Sequence, residues 1–249
     1  MKLSLPANSR RRRGFTLIEL LAAMTILAIL VAGLFATFSQ ASRGWLQSEN
    51  RVETFSQARA VLDFMARELT QTMTTSNISF LGSATNVAFV ALISSDTNVD
   101  LVEVVYQQTR SNVTNTLTRG VWTYPVYSIA PQNFYSSSYY NTWPAAVTVS
   151  NITLADNVMS LTLSYTDTSG TSQSNWNSTA SSGWSGISPG TPTMANRAPA
   201  GVQITIGILD SRAAARLATV GGASTITGQA ITNQATQYFS TYVAIPNGQ

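Results

Sequence analysis

One carboxylate interrupts an apolar run that is otherwise long enough to cross a membrane. From Phe15 to Phe38 the only charged side chain is Glu19. At 1.5 Å rise per residue, a helix over this run spans about 36 Å, against a bilayer core of about 30 Å. Lys2 and the run Arg10, Arg11, Arg12 and Arg13 precede it. That basic excess is a topology signal that holds the N-terminus in the cytoplasm and sends the rest of the chain across. A carboxylate near the centre of such a helix costs about 2.5–3.5 kcal/mol on insertion scales. Glu19 lies one turn inside the run, so snorkelling to the interface reduces that cost. A snorkelling or protonated Glu without a role is the bland alternative; a compensated, functional carboxylate is the reading intramembrane acids favour. An ordinary secretory signal fits poorly. Its apolar region is about 7–15 residues long and ends at a small-residue cleavage site, whereas this run is longer and carries a charge.

Composition narrows the chemistry. The chain has no Cys and no His among its 249 residues. Disulfides, Ser–His or Cys–His nucleophilic catalysis, and zinc sites built from His or Cys are therefore excluded within it. Asp96 and Asp100, with Asn98, form a loose polar cluster without the EF-hand pattern, and solvated loop acids are the expected reading. No cofactor and no metal are expected, and the chain is read as a non-enzyme. The net charge of +3 comes from the first 14 residues, which hold five of the 14 basic residues and none of the 11 acidic ones. The remainder has no basic stripe interleaved with aromatics, so no nucleic-acid partner is expected.

The junction itself reads Gly14-Phe15-Thr16-Leu17-Ile18-Glu19 after a short basic leader. It resembles the cleavage and methylation signal of type IV pilins and type II secretion pseudopilins. The resemblance implies a cut between Gly14 and Phe15 by prepilin peptidase, and N-methylation of the new N-terminal Phe15. It also implies an assembly role for Glu19. The α-ammonium created on Phe15 would pair with Glu19, in a neighbouring subunit or across one turn of the same helix, and an opposite charge favours the ionised carboxylate.

Beyond the membrane run the helix is expected to continue. Phe55, Ala58, Leu62, Met65 and Leu69 repeat in steps of three and four, an apolar stripe on one helix face. Arg51, Glu53, Arg59, Asp63, Arg67 and Glu68 are read as the other faces, with Asp63 and Arg67 as an i,i+4 pair. The stripe is expected to pack on the chain's own sheet. After about residue 76 the pattern turns to strands: Val87–Leu92, Leu101–Tyr106 with Leu117–Trp122 as a hairpin, Met159–Tyr165, Val202–Ile208 and Phe239–Ile245. A short helix is expected over Ser211–Ala218, ended by Gly221-Gly222. Tyr124–Pro144 and Thr168–Gly201 read as aromatic-bearing loops, either capping the sheet or forming a binding face.

The expected architecture is therefore α+β, with a long N-terminal helix, membrane-spanning and then amphipathic, packed on an antiparallel β-sheet as in pilins. Its parts are a cleaved leader over 1–14, a transmembrane helix over 15–38, an amphipathic helix over 39–75 and an extracytoplasmic β-rich domain over 76–249.

Four body segments resemble one branch of the family, minor pseudopilin J of the general secretion pathway. They are Arg59–Leu69, Leu101–Tyr106 with Leu117-Thr118-Arg119, Ala155–Val158, and Pro199–Ile206. There is no Pro in the membrane helix and no C-terminal disulfide pair, which departs from major pilins. The resemblance implies a single-pass inner-membrane protein with a periplasmic domain, placed at the tip of a secretion pseudopilus. Its implied partners are membrane lipid, other minor and major pseudopilins or pilins, an inner-membrane assembly platform and the secreted protein cargo. A minor pilin of a pilus or DNA-uptake machine, and a membrane-anchored display protein using the same processing, are the alternatives.

Overall fold

The computed structural model describes residues 16–75, 78–94, 99–110, 113–123, 151–178 and 194–246. Helix α1 runs Leu17–Thr70. The chain divides into two compact units, Met1–Glu49 and Asn50–Gln249.

In the first unit, the described residues form the beginning of α1. The apolar side chains here are exposed throughout, from Leu17 at 79 % to Phe38 at 73 %. Among the described residues, α1 is the one helix long and apolar enough to cross a membrane. Three of its hydroxyls bond back within the helix. Thr25 donates to the Ala22 carbonyl at 2.8 Å, Thr37 to that of Leu34 at 2.9 Å and Ser39 to that of Ala36 at 2.8 Å. Internal bonds of this kind let polar groups sit in a medium that offers no water.

The second unit is the rest of α1 and an antiparallel sheet. The strands are β1 (Thr72–Met73), β2 (Leu81–Gly82), β3 (Asn86–Ser94), β4 (Val99–Thr109), β5 (Asn115–Thr123), β6 (Asn151–Thr166), β7 (Ser172–Gln173), β8 (Trp176–Asn177), β9 (Gly201–Leu209) and β10 (Thr236–Ala244). They pair in the order β10-β9-β6-β5-β4-β3-β2-β8, with β1 on β3 and β7 on β6. Two short helices, α2 (Ser211–Thr219) and α3 (Ile226–Ala235), lie between β9 and β10. The α+β architecture is thus that of a long N-terminal helix followed by an antiparallel sheet, as in pilins.

The sheet buries one face against α1. Val202, Ile204, Ile206 and Ile208 of β9 are all buried, with Phe89, Tyr106, Leu117, Leu161 and Leu163, and Ala58, Val61, Leu62, Met65 and Leu69 of α1 join the same core. Each buried Leu, Ile, Met or Phe contributes about 1.5–3 kcal/mol relative to exposure. Period-two alternation predicts Met159 on this face too. Instead the register slips between Val158 and Ser160 opposite Ile208 and Gly207. Asn157 takes a left-handed backbone, φ 57°, which Asn tolerates better than most residues. The resulting bulge turns Val158 into the core and sends Met159 to a second cluster with Leu209, Ala213, Ala214, Leu217 and Ile231.

Several expected boundaries move. The helix ends at Thr70 rather than 75, because Thr72 and Met73 pair with Ala91 and Val90 of β3. Helix α2 has its expected stop, with Gly221 and Gly222 at φ 82° and 93°, and a cap the sequence reading did not name: the Asp210 carboxylate accepts from the Ala213 N–H at 2.7 Å. Helix α3 carries no clear sequence signal, since its residues include Gly228 and three Thr or Asn, all weak helix formers. The segment expected as the loop Thr168–Gly201 holds β7 and β8. Its Trp176 is 1 % exposed and donates to the Arg197 carbonyl at 2.9 Å, so this aromatic is core rather than a binding surface. Trp184 and the aromatic stretch Tyr124–Pro144 lie outside the described residues.

Candidate functional site

Two places carry the chemistry the sequence singles out, each within one unit. The first is the start of α1. Thr16 is the N-cap and Glu19 the third helical residue. The Thr16 N–H donates to Glu19 Oε2 at 3.0 Å, the Glu19 N–H donates to Thr16 Oγ1 at 3.4 Å, and the Thr16 hydroxyl donates to the same carboxylate oxygen at 3.1 Å. This is a capping box, which satisfies two amide donors at a helix end reciprocally. Its signature, Thr-x-x-Glu before an apolar run, stands in the sequence, but the charge of Glu19 points the sequence reading to an external cation instead. The carboxylate is thus already engaged within its own subunit. Arg10, Arg11, Arg12, Arg13, Gly14 and Phe15 lie outside the described residues, so the pairing of Glu19 with a Phe15 ammonium remains an expectation of the sequence.

With that geometry in place, the comparisons add one finding. Residues 9–35 match the prokaryotic N-terminal methylation motif. This is the type IV pilin-like prepilin signal, and the match spans the basic run, the Gly14–Phe15 junction, Thr16 and Glu19. No curated protein matches the chain. The methylation motif therefore identifies a processed helix start, and the body of the chain is read from its own residues.

The second place is the seam between α1 and the sheet. Ala58, Leu62, Met65 and Leu69 of the sequence stripe are buried. Phe55 is not: it is 53 % exposed and meets Phe239 of β10 edge-on at 5.9 Å. Val61 belongs to the buried face in its stead. Glu68, read as solvent-facing, is 5 % exposed. Asp63 pairs with Arg59 at 3.6 Å, on the exposed side, rather than with Arg67 as expected.

Glu68 is held in a buried charge cluster. Arg119 of β5, 8 % exposed, donates through Nε to Glu68 Oε2 at 2.9 Å and through Nη2 to Oε1. The fork is bidentate, the strongest geometry for this pair. The fully buried Tyr106 of β4 donates its hydroxyl to Glu68 Oε2. The Arg119 guanidinium carbon lies 5.2 Å from the centre of the Phe64 ring, within cation–π range. Burial works against the Arg119 charge, but the bonds and field of Glu68 outweigh it and raise the pKa further. Burial, then the Glu68 charge, push the Tyr106 phenol well above its ordinary range. The three side chains are bonded to one another and tie the last turn of α1 to two adjacent strands. Residue spacing could not reveal this cluster, because Glu68, Tyr106 and Arg119 meet only when β4 and β5 pair.

Stability should therefore fall at alkaline pH. Tyr106 and Tyr165 both have phenols raised by burial, so the native state keeps two protons that the unfolded state releases above about pH 10. Their stabilisation is complete below that pH and is lost above it, by up to about 1.4 kcal/mol per pH unit for each group. Melting temperatures measured from pH 8 to 11.5 should be flat and then fall. Tyr106→Phe should fall less steeply, by one proton's share. Equal slopes would contradict the assignment.

Among the described residues, no group of three or more acidic side chains could hold a metal ion. Asp96 lies outside those residues.

Proposed function

We propose that the chain is a minor pseudopilin-like structural subunit. Prepilin peptidase cuts it after Gly14 and methylates Phe15, and it assembles through its apolar helix into the tip of a type II secretion pseudopilus, where it aids initiation and protein export. The observation that carries this reading is the methylation motif seated on the start of an exposed apolar helix. In this reading the protein is anchored by a single span in the inner membrane, with the leader cytoplasmic and the sheet domain periplasmic. Its partners are other pseudopilins, the inner-membrane assembly platform, membrane lipid and secreted cargo. The body segments similar to minor pseudopilin J, and the absence of cysteine and of a Pro near Ala36, support a minor over a major subunit. The role is assembly and not catalysis: the charge cluster at the seam is buried and its members bond one another, so it is closed to a substrate.

Mass spectrometry of the chain purified from membranes with its partners tests this. The expected N-terminus is N-methyl-Phe15, and the expected partners are other Phe-initiated single-span subunits together with secretion components. Recovery with pilus or DNA-uptake components would transfer the subunit to that machine. An intact Met1 would overturn the processing itself.

A further inference from the structure

The sheet has a second face, turned away from the α1 core. Helices α2 and α3 cover it at one end, through Leu209 and Met159. Beyond that end the outer positions of β10, β9 and β6 come into rows by register: Tyr238 beside Gly207 and Ser160, Ser240 beside Thr205 and Thr162, Tyr242 beside Gln203 and Ser164. Tyr238 is 68 % exposed and Tyr242 53 %.

The tyrosines sit against glycines of the neighbouring strand. A Cβ on Gly201 would stand 2.0 Å from the Tyr242 hydroxyl oxygen and 2.3 Å from Cζ, and a Cβ on Gly207 would stand 2.9 Å from a Tyr238 ring carbon. The Tyr242 ring therefore lies over Gly201, where any side chain would displace it, and one edge of the Tyr238 ring borders Gly207, beside Ser160 Oγ. They are four residues apart on one strand, about 13 Å. The polar row between them is preset: Ser240 Oγ accepts from Gln203 Nε2, lies 2.9 Å from Thr205 Oγ1 and donates to the Ile204 carbonyl at 3.1 Å. No carboxylate and no cationic side chain occurs in these three rows.

We propose that this face binds a neutral polysaccharide. A pyranose ring has an apolar C–H face, which matches an exposed tyrosine ring, and a rim of hydroxyls, which exchange hydrogen bonds with Ser, Thr and Gln. Rings about 13 Å apart select an extended chain of linked sugars over a single sugar. The missing charge fits an uncharged ligand, because an anionic polymer finds no countercharge here. An apolar protein partner would bury the hydroxyl row without replacing its water contacts, which is costly. Tyrosines set against glycines and a fixed polar row keep the ordering cost of binding low. The proposal is independent of whether the chain polymerises or stands alone.

The test is co-sedimentation of the full chain, in nanodiscs, with insoluble cellulose, chitin and mannan. Soluble neutral oligosaccharides and anionic alginate serve as competitors. The chain should sediment with at least one neutral polymer and be displaced by its oligosaccharide but not by alginate. Tyr238→Ala/Tyr242→Ala should weaken binding at least about tenfold, the loss expected for two aromatic contacts. Tyr238→Trp/Tyr242→Trp should retain binding, which separates stacking from a loss of folding in the alanine variant. No sedimentation with any of the three, equal binding by the alanine variant, loss in the tryptophan variant, or displacement by alginate would each overturn the proposal.

Discussion

Arg119→Ala is expected to cost the protein about 3–5 kcal/mol of stability, the range for removing one partner of a buried ion pair. The reason is what remains: Glu68, 5 % exposed, is left buried at the end of α1 without the bidentate fork that compensates it. Tyr106 still donates to that carboxylate, but one neutral donor does not replace a guanidinium. Most of the cost is this uncompensated carboxyl and not the worth of the bond. The triple variant Glu68→Leu, Arg119→Met and Tyr106→Phe removes charge and hydroxyl together and should be far less damaged than Arg119→Ala alone. Urea unfolding of the detergent-solubilised chain, followed by tryptophan fluorescence, to which the buried Trp176 contributes, measures both. A loss below about 1 kcal/mol for Arg119→Ala would show that the cluster is not compensating a buried charge. The cluster also gives α1 a register on the sheet. An apolar seam of Ala58, Val61, Leu62, Met65 and Leu69 tolerates sliding by a turn, whereas a fork aimed at one carboxylate does not.

Glu19→Ala is expected to reduce filament assembly at least about tenfold while leaving cleavage at Gly14–Phe15 intact, if the proposed assembly role holds. Glu19 bonds Thr16 within its own helix, so part of any defect comes from a frayed helix start, a loss of about 0.5–2 kcal/mol for a cap. Thr16→Ala removes the cap hydroxyl and leaves the carboxylate. Crosslinking of subunits in membranes, with N-terminal mass spectrometry, should find Thr16→Ala close to wild type and Glu19→Ala deficient. Equal defects in the two would reduce Glu19 to a helix cap.

Much of this protein is legible without coordinates. The junction, the membrane-length run and the strands whose apolar residues alternate are all local patterns, set by periods of 3.6 and 2 along a contiguous segment. Val202 to Ile208 reads correctly for that reason, and Leu117 to Trp122 because a polar stretch separates it from Leu101–Tyr106, its hairpin partner. Failures occur where the decisive neighbour is distant. Met159 leaves the core because Asn157 bulges the strand. Trp176 is core because β8 pairs with β2, and Glu68 is buried because β4 and β5 bring Tyr106 and Arg119 to it.

The sequence alone determined that a prepilin-type methylation motif on an apolar helix precedes a β-rich body, since a carboxylate one turn into an apolar run after Gly-Phe is a local arrangement of charge and hydropathy. Only the tertiary structure decided which charges are buried, where α1 stops, and that two exposed tyrosines flank a polar row on the outer sheet face. Those facts depend on strand register, which joins residues far apart in the chain and leaves no spacing signal within it.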